Sequence, residues 1–278
     1  MTLISAINVS EGRDEPWLAD YDDFALVVDR HTDPEHHRSV ITIGGEFDEI
    51  IDTAIAVAAR AIDHINLQDH HGLHPRLGAV DVVPFVALGS ASTNDCVEAR
   101  QRFAERLAQE FDVPSFFYGP LSDGSIRALP ELRRDAFGAI EPDVGPKTAH
   151  PTAGACAVGV RGPLVAWNLL VSGIDLATGK AIAKAVRSTQ LRAIALPLEQ
   201  GVQISCNLID PVVVTPADAF DAITAQFDWR AHIVKAELVG TIPQASLDRI
   251  DPERWESLDL AQNKTLESRF LARGITIG

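Results

Sequence analysis

The chain runs twice through one order of strands and helices, and that recurrence limits the folds open to it. In the first half, Leu3 to Val9, Phe24 to Asp29 and Arg38 to Gly44 are short β-rich runs. They lead into a long amphipathic helix, Glu46 to Ile65, with Phe47, Ile50, Ile51, Ala54, Ile55, Ala58, Ile62 and Ile65 on one face. A strand from Ala79 to Leu88, a helix capped at Thr93 and ending near Phe111, and a strand from Val113 to Tyr118 complete the set. Residues 120 to 153 are richer in Pro, Gly and charge and read as a linker, with one short helix near Pro130 to Phe137. The order then resumes. Ala155 to Val160 and Leu164 to Val171 read as a hairpin around Arg161-Gly162-Pro163, and Asp175 caps a helix to Arg187. Leu191 to Leu198 pairs with Val202 to Leu208, a helix runs from Pro216 to Phe227, and Ile233 to Val239 closes the set. Residues 254 to 273 read as a charged C-terminal helix. This order predicts an α+β fold with helices on one face of an antiparallel sheet in each half, in the ferredoxin-like manner.

Charge and composition narrow the partners. With 278 residues and 46% apolar side chains, the chain can fill one large core or two ordinary ones. A net charge of −15 argues against nucleic acid or an anionic membrane as partner, while leaving room for a local basic pocket that takes a small anion. The N-terminus shows no export signal and no run reaches membrane-spanning length, so a cytoplasmic protein is expected. Cys96, Cys156 and Cys206 are scattered in apolar contexts and read as reduced core residues.

Chemistry concentrates in His70-His71-Gly72-Leu73-His74-Pro75-Arg76. Gly72 and Pro75 keep the segment from being helical, and a strand follows it. An imidazole held there, with Arg76 two residues on, has the composition of an acid/base beside an anion clamp. Taken alone, the segment also reads as a solvated turn. A metal site is the other alternative, with His36 or His37 joining His70 and His74. The i,i+4 spacing of the latter pair shares a face only on a helix, and no zinc spacing is met. Gly145-Pro146-Lys147-Thr148 lacks the glycines of a phosphate loop, and no G-x-S-x-G elbow occurs. Three segments, Asn8 to Gly12, Asp29 to Arg38 and His70 to Arg76, each adjoin a strand and carry Asn, Asp, His or Arg. Strands lying in one sheet would gather them at one edge as a polar site.

These residues also carry a resemblance. Asn8-Val9-Ser10-Glu11-Gly12, Asp29 with His37-Arg38-Ser39-Val40, and His74-Pro75-Arg76-Leu77-Gly78-Ala79-Val80-Asp81-Val82-Val83-Pro84-Phe85 are similar to blocks of the formiminotransferase family. So are Val113-Pro114 with Tyr118-Gly119, Gly145-Pro146 through Pro151 to Gly154, Asn207-Leu208, and Glu237-Leu238-Val239-Gly240-Thr241-Ile242-Pro243. They run in family order over about residues 3 to 245, and the His-Pro-Arg block is the most specific.

The resemblance implies two ferredoxin-like subdomains, residues 1–153 and 154–250, with the ligand site between them and a helical tail at 251–278. It implies transfer of a formimino group from N-formimino-L-glutamate to tetrahydrofolate, a reaction of histidine degradation and one-carbon metabolism. Tetrahydrofolate is then a co-substrate, and no metal is expected. His74 falls on the catalytic histidine. Asn8, Asp29, His31, Arg38, Arg76 and Glu237 fall on substrate-binding positions. Gly145-Pro146-Lys147-Thr148-Ala149-His150-Pro151-Thr152-Ala153-Gly154 falls on the folate-contacting segment. A homodimer is implied, as is a separate cyclodeaminase to receive the product, because about 30 residues beyond the second subdomain are too few for another domain. The chain departs from the family at His31, where a carboxylate is expected, at His37, where Asn is usual, and at Lys147-Thr148-Ala149-His150. Two other readings stay open: a folate- or anion-binding relative without transfer chemistry, and a metal-dependent hydrolase built on His70 and His74.

Overall fold

The computed structural model describes residues 1–73 and 75–278. The chain separates into two compact units, residues 1–161 with 273–278, and residues 162–272.

The first unit contains β1 (Thr2–Val9), α1 (Glu15–Ala19), β2 (Val27–Asp33), β3 (Arg38–Glu46), α2 (Phe47–His64), β4 (Val80–Ala87) and α3 (Thr93–Phe111). It continues through β5 (Ser115–Pro120), β6 (Ile126–Arg127), α4 (Leu129–Asp135) and β7 (Cys156–Val160). Its seven strands lie in the order β2-β3-β1-β4-β7-β5-β6. β1 runs antiparallel to both β3 and β4, so α2 links two mutually parallel strands that flank a third. α3 does the same from β4 to β5 around β7. The apolar stripe of α2, with Ile50, Ile51, Ala54, Ile55, Val57, Ala58 and Ala61 buried, joins Ala99, Phe103, Ala104 and Leu107 of α3. Together they cover the sheet face that carries Leu3, Ile7, Val9, Ile41, Ile43, Val83 and Phe85. Ser92, rather than Thr93, caps α3 in a reciprocal capping box with Asp95, which satisfies two otherwise unpaired N–H groups.

The hairpin expected around Arg161-Gly162-Pro163 is not formed. β7 pairs parallel with β4 and β5, so the first sheet is mixed rather than antiparallel. All five residues of Cys156–Val160 are buried, the signature of a central parallel strand covered on both faces. The stretch expected to be a linker contributes α4, whose Leu132 packs with Val82, Phe116, Tyr118, Ala155 and Ala157 on the sheet face opposite α2 and α3.

The second unit contains β8 (Val165–Ser172), α5 (Leu176–Ala185), β9 (Leu191–Leu198), β10 (Gly201–Leu208), α6 (Pro216–Thr224), β11 (His232–Val239), α7 (Gln244–Leu247) and α8 (Leu266–Ala272). Its sheet order, β11-β8-β10-β9, is antiparallel throughout, which is the ferredoxin-like arrangement read from the sequence. The long C-terminal helix is replaced by short 3₁₀ turns at 252–254, 256–258 and 262–264 before α8. Pro252 and the left-handed Asp259 (φ 59°) interrupt it, and Leu258 and Leu260 are thereby turned into the second core. Among the described residues no helix is long and apolar enough to cross a membrane. All three cysteines are free and buried. Burial pushes the Cys96 thiol up to about 11 and Cys206 to about 12, which removes them as nucleophiles at neutral pH.

Candidate active site

The three polar segments converge within the first unit. The Ser10 hydroxyl donates to the Gly78 carbonyl (2.8 Å), and the Ser10 N–H donates to Ala79 O (2.8 Å). The Ser39 hydroxyl donates to Glu11 O (2.6 Å), and Arg13 Nε donates to Pro34 O (3.0 Å). Gly12 makes the approach possible. A Cβ there would lie 2.3 Å from Asp33 O and 2.5 Å from Arg38 N, both rigid backbone atoms.

Strand register places the expected substrate residues on one sheet face. Asn8 and His31 both pair with Val40 of β3, and Asp29 pairs with Thr42, two residues along the same face. Arg38 pairs with Asp33 on that face at the mouth of the β2–β3 turn. Asn8 donates from Nδ2 to Ala6 O (3.1 Å), and His31 Nε2 is buried without a hydrogen-bond partner among the described residues. His37, in the same turn, has φ 50°. Asn is the non-glycine residue that enters the left-handed region most readily and His is also enriched there, so the residue usual in the family and the one in this chain meet the same backbone demand.

Arginines and carboxylates interleave around this mouth. Arg13, Arg38, Arg76 and Arg133 face Glu11, Asp33 and Asp81. Burial pushes Arg38 down to about 10; Asp81 and Asp33 counter this, while Arg133 and Arg76 add to it. The site thus resists further positive charge and would be relieved by an anionic ligand. Burial also works against ionisation of Glu11, yet the N–H groups of Arg13 (2.7 Å), Asp14 (3.1 Å) and Gly12 (2.8 Å) hold its carboxyl below the ordinary value. Glu11 and Asp81 were legible only as members of motif blocks, and Arg133 carried no sequence signal, because α4 reaches the site through the fold alone.

His70, outside the expected substrate set, is joined to other side chains of the site. Its Nε2 lies 2.5 Å from His37 Nδ1, and its Nδ1 lies 2.6 Å from Arg76 Nη1. His37 Nε2 in turn lies 3.2 Å from Glu11 Oε1. Desolvation, reinforced by His70 and Arg13, pushes His37 down to about 4, and desolvation with the Arg76 charge lowers His70. Both rings are therefore neutral at neutral pH. Arg76 also donates to the carbonyls of His37 and His36 (3.3 Å each). His36 is buried and bonded to Asp33. No group of three His, Cys, Asp or Glu placed to hold a metal ion occurs among the described residues. His74, the expected catalytic residue, lies outside the described residues, and the residues that follow it are held. Pro75 O accepts from Arg133 Nη1 (3.0 Å), and Leu77 N donates to Asp81 Oδ1 (2.6 Å).

The Gly145–Gly154 segment borders the same place. Leu67 N donates to Thr152 O (2.8 Å), Gln68 Nε2 to Pro151 O (3.1 Å), and Gly78 bridges Gly154. An open pocket of about 460 Å³, lined by Leu67, His70, His71, Gly72, Pro75 and Arg76, lies beside it. Within the segment His150 is engaged locally, its Nδ1 accepting from Ala153 N (3.0 Å), while Lys147 is exposed and paired with Glu141 (3.0 Å). Glu237 belongs to the second unit, on β11, where it accepts from Asn168 Nδ2 (3.2 Å) and pairs with Lys235 (3.1 Å).

Gly72 is the floor under Arg76. A Cβ there would meet Arg76 Nη2 at 2.3 Å, His36 O at 2.7 Å and His37 Cβ at 2.9 Å. The arginine can swing away, but the His36 carbonyl cannot. Gly72→Ala is therefore expected to displace Arg76 and cost about 1–3 kcal/mol of stability, measured by denaturant unfolding. An unchanged midpoint would show that the turn does not press on this position.

Comparison with known proteins gives consistent matches. The formiminotransferase domain, N-terminal subdomain, matches residues 2–161. A glutamate formimidoyltransferase of Streptococcus pyogenes serotype M1 is 31% identical over 243 residues, 80% of each chain. Another from Thermoplasma acidophilum is 30% identical over 274 residues, 89% of this chain and 90% of its own. The formimidoyltransferase-cyclodeaminase of Sus scrofa is 31% identical over 80% of this chain, which spans 45% of that longer protein.

Proposed function

This chain belongs to the formiminotransferase family, and from that premise we propose that it transfers the formimino group of N-formimino-L-glutamate to tetrahydrofolate, releasing glutamate. The observation that carries this reading is the convergence of Arg13, Arg38, Arg76 and Arg133 on one mouth of a chain whose net charge is −15. Both substrates carry carboxylates, and planar guanidinium groups bind carboxylates in forked, charge-assisted pairs.

In this reading Arg38 and Arg76 hold carboxylates of the formimino donor. The Gly145–Gly154 segment and the pocket beside it fit an extended co-substrate such as folate, because the Pro151–Gly154 end is bonded to Leu67, Gln68, Gly78 and Ala79, and the exposed Lys147 suits an acidic tail. Asn8, Asp29 and His31 line the adjoining sheet face. In the transfer, a bond forms from the acceptor nitrogen to the amidine carbon while the bond to the glutamate nitrogen breaks. A proton leaves the first nitrogen and one reaches the second. His74, as base and then acid, serves both transfers. The product would pass to a separate cyclodeaminase, the activity that the longer relatives carry in their names. A cytoplasmic homodimer accords with these expectations.

Purified protein supplied with N-formimino-L-glutamate and tetrahydrofolate is expected to release glutamate. Absence of turnover with folate binding intact by calorimetry would leave a non-catalytic binding relative in its place. Arg76→Met is expected to raise the KM for the formimino donor about ten- to a hundredfold, the worth of one charge-assisted hydrogen bond. An unchanged KM would remove Arg76 from the carboxylate site.

A further inference from the structure

We propose that Glu11, His37, His70 and Arg76 form one directed hydrogen-bond chain, in which His37 and His70 are positioning residues that fix the Arg76 guanidinium for a substrate carboxylate. The proposal rests on the reading of Arg76 as a carboxylate clamp and goes beyond it, since neither imidazole need touch substrate.

The direction of the chain follows from its two ends. A guanidinium can only donate, and an ionised carboxylate can only accept. Arg76 Nη1 is nearer Nδ1 of His70 (2.6 Å) than Nε2 (3.0 Å), so Nδ1 accepts. The proton of neutral His70 then resides on Nε2, 2.5 Å from His37 Nδ1, which accepts it. His37 therefore carries its proton on Nε2, 3.2 Å from Glu11 Oε1. Glu11 is held as the terminal acceptor by the N–H groups of Gly12, Arg13 and Asp14. Both imidazoles are then in the same tautomer, with the Ser10 carbonyl a further acceptor for the His70 N–H.

The surroundings reinforce this assignment. His37 is 9% exposed, its ring lies 4.0 Å from that of His70, and the backbone of its turn is fixed by the Asp33–His36 contacts. The groups facing His37 are His70, Arg13, Glu11 and Arg76, and those facing His70 are Arg76, the Ser10 carbonyl, Glu11 and Arg13. A proton added to either ring would set N–H against N–H and place a second cation beside Arg76 and Arg13. The rings stay neutral below the ordinary histidine value of about 6.5, and the chain is lost as pH falls through about 4, where His37 takes up its proton; the stability it contributes is full above about 6.5 and declines between the two values, because the unfolded histidines bind protons that the native pair refuses. The Ser10 carbonyl and Glu11 work in the opposite sense on His70, and desolvation with the arginines outweighs them.

Two measurements on the full chain test this. Nitrogen-15 NMR of the histidine rings at pH 7 is expected to show His37 and His70 both neutral with the proton on Nε2. Either ring charged, or protonated on Nδ1, overturns the chain. In kinetics, His70→Leu is expected to raise the KM for N-formimino-L-glutamate by about tenfold with little change in kcat, and His70→Gln, whose amide both donates and accepts, is expected to recover most of it. The backbone at His70 (φ −96°) accommodates either residue, so misfolding is not expected, and a thermal melt checks this. The wild-type KM is expected to rise as pH falls toward about 4, where His37 takes up its proton, and His70→Leu to flatten that rise. If Arg76→Met raises KM while His70→Leu leaves it within about twofold of wild type, the clamp stands and the chain is wrong. If Arg76→Met also has no effect, the clamp reading itself fails.

Discussion

Replacing His74 with alanine is expected to abolish glutamate release from N-formimino-L-glutamate and tetrahydrofolate while leaving the folded state intact. A positioned acid/base contributes about 10²- to 10⁴-fold to a proton-transfer step, and here one imidazole is assigned both the proton removed and the proton delivered. Retention of the fold is expected because the residues that follow His74 are anchored by other groups. Pro75 O is held by Arg133, Leu77 N by Asp81, the Gly78 carbonyl by Ser10, and Ala79 N by the Ala153 carbonyl. Glutamate release, followed together with a thermal melt, reads both halves of the prediction. Activity within a few fold of wild type would move the acid/base role elsewhere; loss of the melt would make His74 structural.

Asp81→Ala carries the largest stability effect, and its cause is distinct. Asp81 is fully buried, and its carboxylate accepts from Leu77 N (2.6 Å), Arg133 Nη2 (2.5 Å) and Arg133 Nη1 (3.2 Å). Its charge also stabilises Arg38 and Arg76, which otherwise face Arg133. Alanine would leave the Arg133 side chain, only 17% exposed, without its counter-charge, and the Leu77 N–H without an acceptor. Removing one partner of a buried pair costs about 3–5 kcal/mol. Urea unfolding should show a loss of that size, with turnover reduced because Leu77 N and Arg133, which hold the residues following His74, lose their partner. Asp81→Asn keeps an acceptor for Leu77 N while removing the charge, so its loss should be smaller. A loss under about 1 kcal/mol in Asp81→Ala would mean the arginines find other partners.

How much of the site was legible in the sequence varies residue by residue. The His-Pro-Arg block, the Asn8 to Gly12 turn and the β2–β3 turn stood out because Gly, Pro and alternating strands mark turns locally. Their convergence was expected from strands in one sheet and is realised by the β1–β3 and β1–β4 pairings. The Glu11–His37–His70–Arg76 chain was not legible. Its members are separated by up to 65 positions, as the numbering shows, and their contacts depend on Gly72 leaving room for Arg76 above the His36 carbonyl. The only signal His70 carried was its i,i+4 spacing from His74, whereas its partner is His37 on another loop.

The same division holds for the fold. Local periodicity determined the long α2 and α3, the strands flanking them, and the second unit's strand and helix order, because amphipathic spacing and caps act within a few residues. The partner of Cys156–Val160 was decided only by tertiary structure. A short, fully apolar run is equally suited to a hairpin or to a central parallel slot, and only the gap between β4 and β5 selects the latter. By itself, the sequence determined where the polar turns fall between strands. The tertiary structure decided which charges meet there, because ion pairs such as Asp81 with Arg133 join residues whose separation along the chain carries no periodic signal.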